Sequence, residues 1–171
     1  MIPTAKDAVM DFREPSPSMP NRSILGFADT YFEAGKLLYH KEIGHGFYLP
    51  AANLLCHSIE LYLKSLVNPA KFKTVGDGIY QEVTTNRKGH SLFKMLEQDV
   101  VPVFRDQLTA AHSSLDSNMK AIEGLFQASR YPFEEKNKVL VVEGKDKIAF
   151  EVAQFLSCAV SELKPMLVHK N

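Results

Sequence analysis

Apolar residues recur at steps of three and four positions along this chain, and that spacing limits its fold more than any other feature. It first appears between Ile24 and about Glu42. The apolar positions there are Phe27, Tyr31, Ala34, Leu38 and Tyr39. Because an α-helix turns once in about 3.6 residues, side chains at these steps line one face of a helix. The pattern predicts an amphipathic helix whose apolar face is covered by other helices.

Glycine and proline divide the chain into five such segments. The second runs from about Pro50 to Val67, where the following Asn-Pro pair stops it. The third opens in "GHSLFKMLEQDV", where Ser91 can cap the helix and Pro102 either kinks the helix or restarts it. The remaining two run from about Leu115 to Ser129 and from near Asp146 onward. Five linked helices predict an all-α, up-and-down helical bundle.

The regions outside the helices are few. Prolines at positions 3, 15, 17 and 20 predict an irregular N-terminal arm over residues 1–22, followed by a single helical domain over 23–171. Residues 70–89 are rich in glycine and β-branched residues, so we expect a long loop that can hold a short hairpin. The β-branched run at 138–144 is a second extended segment, which could pair with that loop.

Composition restricts the function classes. The chain has 171 residues, is 45% hydrophobic, and carries 20 basic and 20 acidic side chains. Its zero net charge gives no global field that would attract nucleic acid, so such binding would need a local patch. The sequence has no signal peptide and no membrane-spanning run, which predicts a cytoplasmic protein without membrane contact. Cys56 and Cys158 are predicted to be small buried hydrophobic residues in a reducing compartment.

Common cofactor motifs are missing from the sequence. It has neither a phosphate-binding P-loop nor a dinucleotide-binding glycine motif after a strand, and "GDG" at 76–78 is read as a turn. The two cysteines lie too far apart in the sequence to form a zinc pattern. His40 and His45 do not share a helix face. We therefore predict no cofactor and no metal.

One polar stripe interrupts the second helix, "NLLCHSIELYLKSLV". Its members Asn53, His57, Glu60 and Lys64 fall within about 60° of one another on a helix, and the rest of the circumference is mostly apolar. Three interpretations are open. The stripe could face solvent, it could lie inside the bundle as paired ions, or it could line a groove or a subunit interface. In the last case His57 could act as an acid, a base or a pH-sensitive donor.

Two further motifs hold candidate site residues. His90 lies at the opening of the third helix, where a helix N-terminus favours anions, although it could equally be a capping or packing residue. Arg130 and Tyr131 follow at the end of the fourth helix, where a cation also stabilises the helix dipole.

The order of "CHSIELYLKSL", "GHSL" and "SRYPF" resembles the HEPN superfamily, which is named for higher eukaryotes and prokaryotes nucleotide-binding domains. These are small helical bundles, and the resemblance covers about residues 24–168. Many members resemble metal-independent endoribonucleases of toxin–antitoxin and phage-defence systems. Others resemble non-catalytic domains that work beside a nucleotidyltransferase. The resemblance implies a homodimer, with RNA or a nucleotide as ligand and an antitoxin or a nucleotidyltransferase as partner.

The catalytic residues of such ribonucleases are an Arg followed a few positions later by a His. The Arg stabilises charge on the reacting phosphate, and the His handles the proton of the ribose hydroxyl. This sequence departs from that pattern, because "YPFEEKN" follows Arg130 and contains no His.

Two functions are therefore expected. The first is a non-catalytic module that binds RNA, a nucleotide or a partner protein through a groove lined by Glu60, Lys64, His90 and Arg130. The second is a divergent endoribonuclease in which His57 or His90 replaces the missing His.

Overall fold

The computed structural model of the chain describes residues 20–40, 48–67, 72–75, 79–82, 91–130 and 144–163. These residues form an all-α bundle with one small β-hairpin, which confirms the predicted fold class. The helices are α1 (Arg22–His40), α2 (Tyr48–Val67), α3 (Leu92–Lys94), α4 (Pro102–Ala111), α5 (Leu115–Arg130) and α6 (Lys145–Glu162). A π-helical turn, Met95–Asp99, continues α3.

The predicted third helix divides in two at Pro102. Ser91 caps α3 as expected, because its hydroxyl accepts a hydrogen bond from the backbone N–H of Lys94 at 3.2 Å. The π-helical turn ends with the N–H of Val100 bonded to the carbonyl of Met95. Proline has no N–H to continue a helix but fits the first turn of a new one, so α4 restarts there. The described residues hold six helices for this reason, where five were expected.

The helices α1 and α2 form an antiparallel pair with a hydrogen bond near one end and a close approach of the two helices nearer the other. Near the start of α1, the N–H of Asn21 donates to the carbonyl of Ser65 in α2 at 2.9 Å. Asn21 also caps α1, since its side-chain oxygen accepts from the N–H of Ile24. Asn21, which the sequence analysis places in the N-terminal arm, thus contacts α2 and caps α1. Nearer the other end, a Cβ atom added to Gly35 would lie only 3.0 Å from Leu55, so glycine permits the close approach of the helices.

The core surrounds α2, which packs against α1, α5 and α6. Eleven of its 20 residues are buried. The largest side chains that α2 contributes to the core are Leu55, Ile59, Tyr62, Leu63 and Leu66. Burial of an aliphatic or aromatic side chain of this size contributes about 1.5–3 kcal/mol relative to exposure. The polar stripe therefore belongs to the most deeply buried helix of the bundle.

The two strands, Phe72–Val75 and Ile79–Glu82, pair antiparallel in a hairpin. Phe72 lies opposite Glu82, and Val75 lies opposite Ile79. This confirms the hairpin that was one option for residues 70–89. The other predicted extended segment lies outside the described residues except for its last residue, Gly144. Gly144 has a φ of 75°, a conformation that glycine adopts without strain, and it directly precedes α6.

The prediction that both cysteines are buried is confirmed for one of them and wrong for the other. Cys56 is buried in the core, whereas Cys158 is exposed. The buried face of α6 holds Ala149, Val152, Ala153, Leu156 and Val160. Cys158 follows Leu156 by two positions, about 200° around the helix, and so falls on the opposite face.

None of the described helices combines the length and the apolar character of a membrane span.

Candidate functional site

The polar stripe of α2 contains a compact charged cluster centred on a buried carboxylate. Glu60 is only 1% exposed, and both of its oxygens have partners on the same helix. Lys64 Nζ lies 2.7 Å from Glu60 Oε1, and His57 Nδ1 lies 3.3 Å from Glu60 Oε2. The spacings of three and four residues bring these side chains together along one helix face. We refer to Glu60, Lys64 and His57 as the Glu60 cluster.

The two partners of Glu60 reach the surface while the carboxylate does not. The Lys64 side chain is 30% exposed and that of His57 is 25% exposed. A buried carboxylate without partners would be costly, so the ion pair and the imidazole contact stabilise its charge. The exposed-stripe interpretation is therefore wrong for Glu60, which lies inside the bundle. Its contacts hold a lysine and a histidine at the protein surface.

The contact with Glu60 also orients the imidazole of His57. An ionised carboxylate only accepts hydrogen bonds, so the proton of a neutral His57 belongs on Nδ1. In that tautomer Nε2 carries a lone pair and can accept a proton. No hydrogen-bond partner of Nε2 occurs among the described residues. The Glu60–His57 pair thus has the arrangement of a carboxylate-oriented base.

Aromatic side chains from two neighbouring helices hold His57 in place. Tyr31 of α1 meets the imidazole edge to face, with ring centroids 4.4 Å apart. Phe126 of α5 stacks on the imidazole with a centroid distance of 6.2 Å. Three helices therefore position the Glu60 cluster, which gives it a fixed geometry.

Glu123 of α5 is a second partly buried carboxylate near the core. Glu123 of α5 accepts a hydrogen bond from the N–H of Phe93 at 3.0 Å and so satisfies the start of α3. Burial, with a smaller contribution from the nearby Glu123, raises the pKa of Cys56 to about 12. This thiol stays protonated near neutral pH, so it is a poor nucleophile there.

A hydrogen bond between Tyr62 of α2 and Asp29 of α1 connects the two helices. The Tyr62 hydroxyl donates to Asp29 Oδ1 at 2.6 Å. Burial first, and then this hydrogen bond, raise the pKa of Tyr62 above its ordinary value. The bond fixes the two helices relative to each other and leaves the phenol protonated.

The structure brings together three of the seven predicted site residues: Glu60, Lys64 and His57. Asn53 is half-buried on the same helix face, but its side chain makes no hydrogen bond within the described part of the chain. Arg130 is the last residue of α5, and its side chain is not among the parts of the chain that the structure describes. His90 and Tyr131 also lie outside the described residues, so the predicted convergence of His90 and Arg130 on Glu60 stays a prediction.

Sequence reasoning missed Tyr31 and Phe126 as neighbours of the cluster. Both have the apolar spacing of their own helices, which marked them only as core residues. Only the packing of α1 and α5 on α2 shows that they contact His57.

Comparisons of the chain with protein-family models, curated proteins and solved structures give no significant match. Within the described ranges, no three His, Cys, Asp or Glu side chains are grouped as a metal site would need.

Proposed function

We propose that this chain is a HEPN-like helical domain that binds RNA or a nucleotide through a phosphate group at the Glu60 cluster. The observation that carries this proposal is the position of Lys64. Its ammonium is held 2.7 Å from a buried carboxylate, yet nearly a third of the side chain is exposed. An ammonium group has three N–H donors, so it can bind Glu60 and a phosphate oxygen at once.

The surroundings of Lys64 fit a nucleotide better than a simple anion. The chain has zero net charge, so recognition must come from a local arrangement of donors. His57 adds a ring nitrogen on the other oxygen of Glu60, and Tyr31 adds an aromatic ring beside His57. Aromatic rings on which bases stack, next to cationic side chains that contact phosphates, are the usual parts of single-strand binding sites.

The motif order that resembles the HEPN superfamily supports a biological setting for this activity. We propose that the domain forms a homodimer in the cytoplasm and acts in a toxin–antitoxin or phage-defence system. Its protein partner there would be an antitoxin or a nucleotidyltransferase. A gene for such a partner beside the gene for this chain would support the setting.

Fluorescence anisotropy with a labelled single-stranded oligoribonucleotide and a labelled adenine nucleotide tests the binding function. We expect Lys64→Gln to weaken binding about 10-fold or more, because a charge-assisted bond to phosphate is lost. Lys147→Gln is the matched control, since Lys147 also pairs with a glutamate four residues away but on an exposed face of α6. It should change affinity less than about twofold. Binding that both variants weaken equally, or no binding by the native protein, contradicts the proposal.

The orientation of His57 favours a second candidate, a divergent endoribonuclease. A histidine with Nδ1 held by a carboxylate and Nε2 available can remove the proton of a ribose 2′-hydroxyl. The oxygen so activated would attack the adjacent phosphate and form a 2′,3′-cyclic phosphate as the bond from phosphorus to the 5′-oxygen breaks. The departing 5′-oxygen would take a proton from water, while Lys64 stabilises the negative charge added in the transition state. In this candidate His57 takes the place of the histidine missing after Arg130.

Incubation with single-stranded and structured RNA in the presence of a metal chelator separates the two functions. The variants are His57→Asn, His90→Ala and Arg130→Ala, with His112→Asn as a control on α4, where His112 packs edge to face on Phe155. Cleavage that His57→Asn abolishes and His112→Asn retains would establish the enzyme. Cleavage lost in His90→Ala and Arg130→Ala would identify an enzyme with a different histidine. Binding without cleavage at any protein concentration leaves the binding module as the function.

A further inference from the structure

The outward face of α1 exposes two large apolar side chains. Among the described residues, the large hydrophobic side chains that are exposed are Phe27, Leu37 and Tyr48. Phe27 and Leu37 are each 65% exposed, and both belong to α1. The opposite face of α1 packs on the core through Ala28, Phe32 and Gly35. This helix therefore has apolar residues on two faces, and the bundle covers only one of them.

The exposed face has a repeat with a definite geometry. The exposed Phe27, Thr30 and Leu37 and the half-buried Ala34 lie at steps of three, four and three, within an arc of about 80°. We call these four residues the α1 seam. The steps are those of the two core positions in a coiled-coil heptad. The Thr30 hydroxyl is bonded to the carbonyl of Gly26, so covering Thr30 leaves no unpaired polar group.

We propose that the α1 seam binds the α1 seam of a second copy of this chain, in antiparallel orientation about a two-fold axis. The sequence of steps is the same when read backwards, with large residues at the ends and small ones in the middle. Antiparallel pairing sets Phe27 against Leu37 of the second copy and Thr30 against Ala34 of the second copy. The two end layers then have equal volume, and the small central residues allow the helix axes to approach. A parallel pair would stack Phe on Phe at one end and Leu on Leu at the other.

The charges beside the seam are compatible with this pairing. Glu33 borders it, and this glutamate already pairs with Lys36 of the same helix at 3.3 Å. Each copy thus brings a neutral pair to the two-fold axis, where unpaired like charges would repel. The seam spans only about 15 Å, so we expect a weak dimer with a Kd on the order of 10 µM.

Dimerisation through the seam would bring the two Glu60 clusters towards each other. Tyr31 lies beside the seam on α1 and contacts His57 at 4.4 Å. The two clusters would then lie near the two-fold axis, where one nucleic-acid strand could contact both. This last step rests on the proposed function, whereas the seam itself depends only on α1.

Sedimentation equilibrium over concentrations below and above that Kd tests the seam. Leu37→Glu and Phe27→Glu each place a carboxylate in the apolar layer, and we expect each to weaken dimerisation about 100-fold. Their thermal unfolding should match that of the native monomer, because both positions are exposed. Tyr48→Glu is the control, an exposed aromatic of α2 that lies outside the seam. A monomeric native protein, or a dimer that only Tyr48→Glu dissociates, overturns the proposal.

Disulfide cross-linking tests the antiparallel orientation. In a Cys158→Ser background, Thr30→Cys and Ala34→Cys proteins are oxidised separately and as a mixture. Antiparallel pairing predicts a cross-link only in the mixture, and cross-links within each separate protein would overturn it. RNA binding by the Leu37→Glu monomer is measured alongside. If the Leu37→Glu monomer still binds RNA, RNA binding at the Glu60 cluster does not need the dimer. The dimer proposal and the RNA-binding proposal can then fail separately.

Discussion

The helices α2 and α6 each carry a lysine–glutamate ion pair and a cysteine, in opposite environments. Each has a lysine and a glutamate four positions apart and a single cysteine. In α2 the side chain of Glu60 is 1% exposed, and its Oε1 lies 2.7 Å from Lys64 Nζ. In α6 the side chain of Glu151 is 50% exposed, and its Oε1 lies 3.8 Å from Lys147 Nζ. The cysteine of α2 is buried and that of α6 is exposed.

The contrast shows how environment changes the role of the same residues. A loose pair in water contributes little, because solvent and salt screen both charges. A carboxylate without access to water needs its partners, so the pair in α2 fixes the position of Lys64. The pair in α6 is an ordinary surface ion pair, whereas the pair in α2 can position the Lys64 ammonium for a ligand. Three predictions test this difference, beginning with the largest effect.

Removal of the two glutamates should give very different losses of stability. We expect Glu60→Ala to lower the free energy of unfolding by about 2–3 kcal/mol, because Lys64 and His57 lose a shared buried partner. Glu151→Ala should change it by less than about 0.5 kcal/mol. Urea unfolding followed by circular dichroism measures both values. Equal losses would show that the environments do not differ as described.

The two cysteines should differ in alkaline solution. Above pH 9 an unfolded Cys56 loses its proton, whereas the folded thiol keeps its own up to a pKa of about 12. The unfolded state then binds fewer protons, so stability falls with rising pH by about 1.4 kcal/mol per pH unit. Urea unfolding between about pH 9 and 10 should show this slope in the native protein and in Cys158→Ala. The slope should be clearly smaller in Cys56→Ala, where the raised pKa of Tyr62 still contributes near pH 10, and an unchanged slope in that variant would refute the assignment.

The smallest difference should appear in the coupling between lysine and glutamate within each pair. A double-mutant cycle on Glu60 and Lys64 should give about 1–2 kcal/mol, against about 0.3 kcal/mol for Lys147 and Glu151. Added salt at about 1 M should abolish the second coupling and retain most of the first, since buried charges are screened less. A coupling in α2 that disappears in salt would place Glu60 in contact with solvent.

The sequence was a good guide to the helices and a partial guide to the site. Apolar spacing and proline positions predicted the bundle, and helix spacing alone placed His57, Glu60 and Lys64 on one face. Spacing within one helix does not say which neighbour covers that face. The burial of Glu60 and the contacts of Tyr31 and Phe126 depend on how α1 and α5 pack on α2, which no local pattern encodes. The exposure of Cys158 does not follow from the sequence for a related reason, because apolar neighbours in the sequence do not show which face of the helix a residue lies on.

The bond from the Asn21 amide to the Ser65 carbonyl has a consequence for how the molecule opens. Asn21 precedes α1, and residues at such a position usually fray first and exchange their amide hydrogens quickly. Here that amide is held by a carbonyl of the most deeply buried helix. Fraying at the start of α1 must therefore break a contact with α2, so the two helices should open as one cooperative unit. In deuterium exchange, the Asn21 amide should be protected to the same degree as the middle of α2.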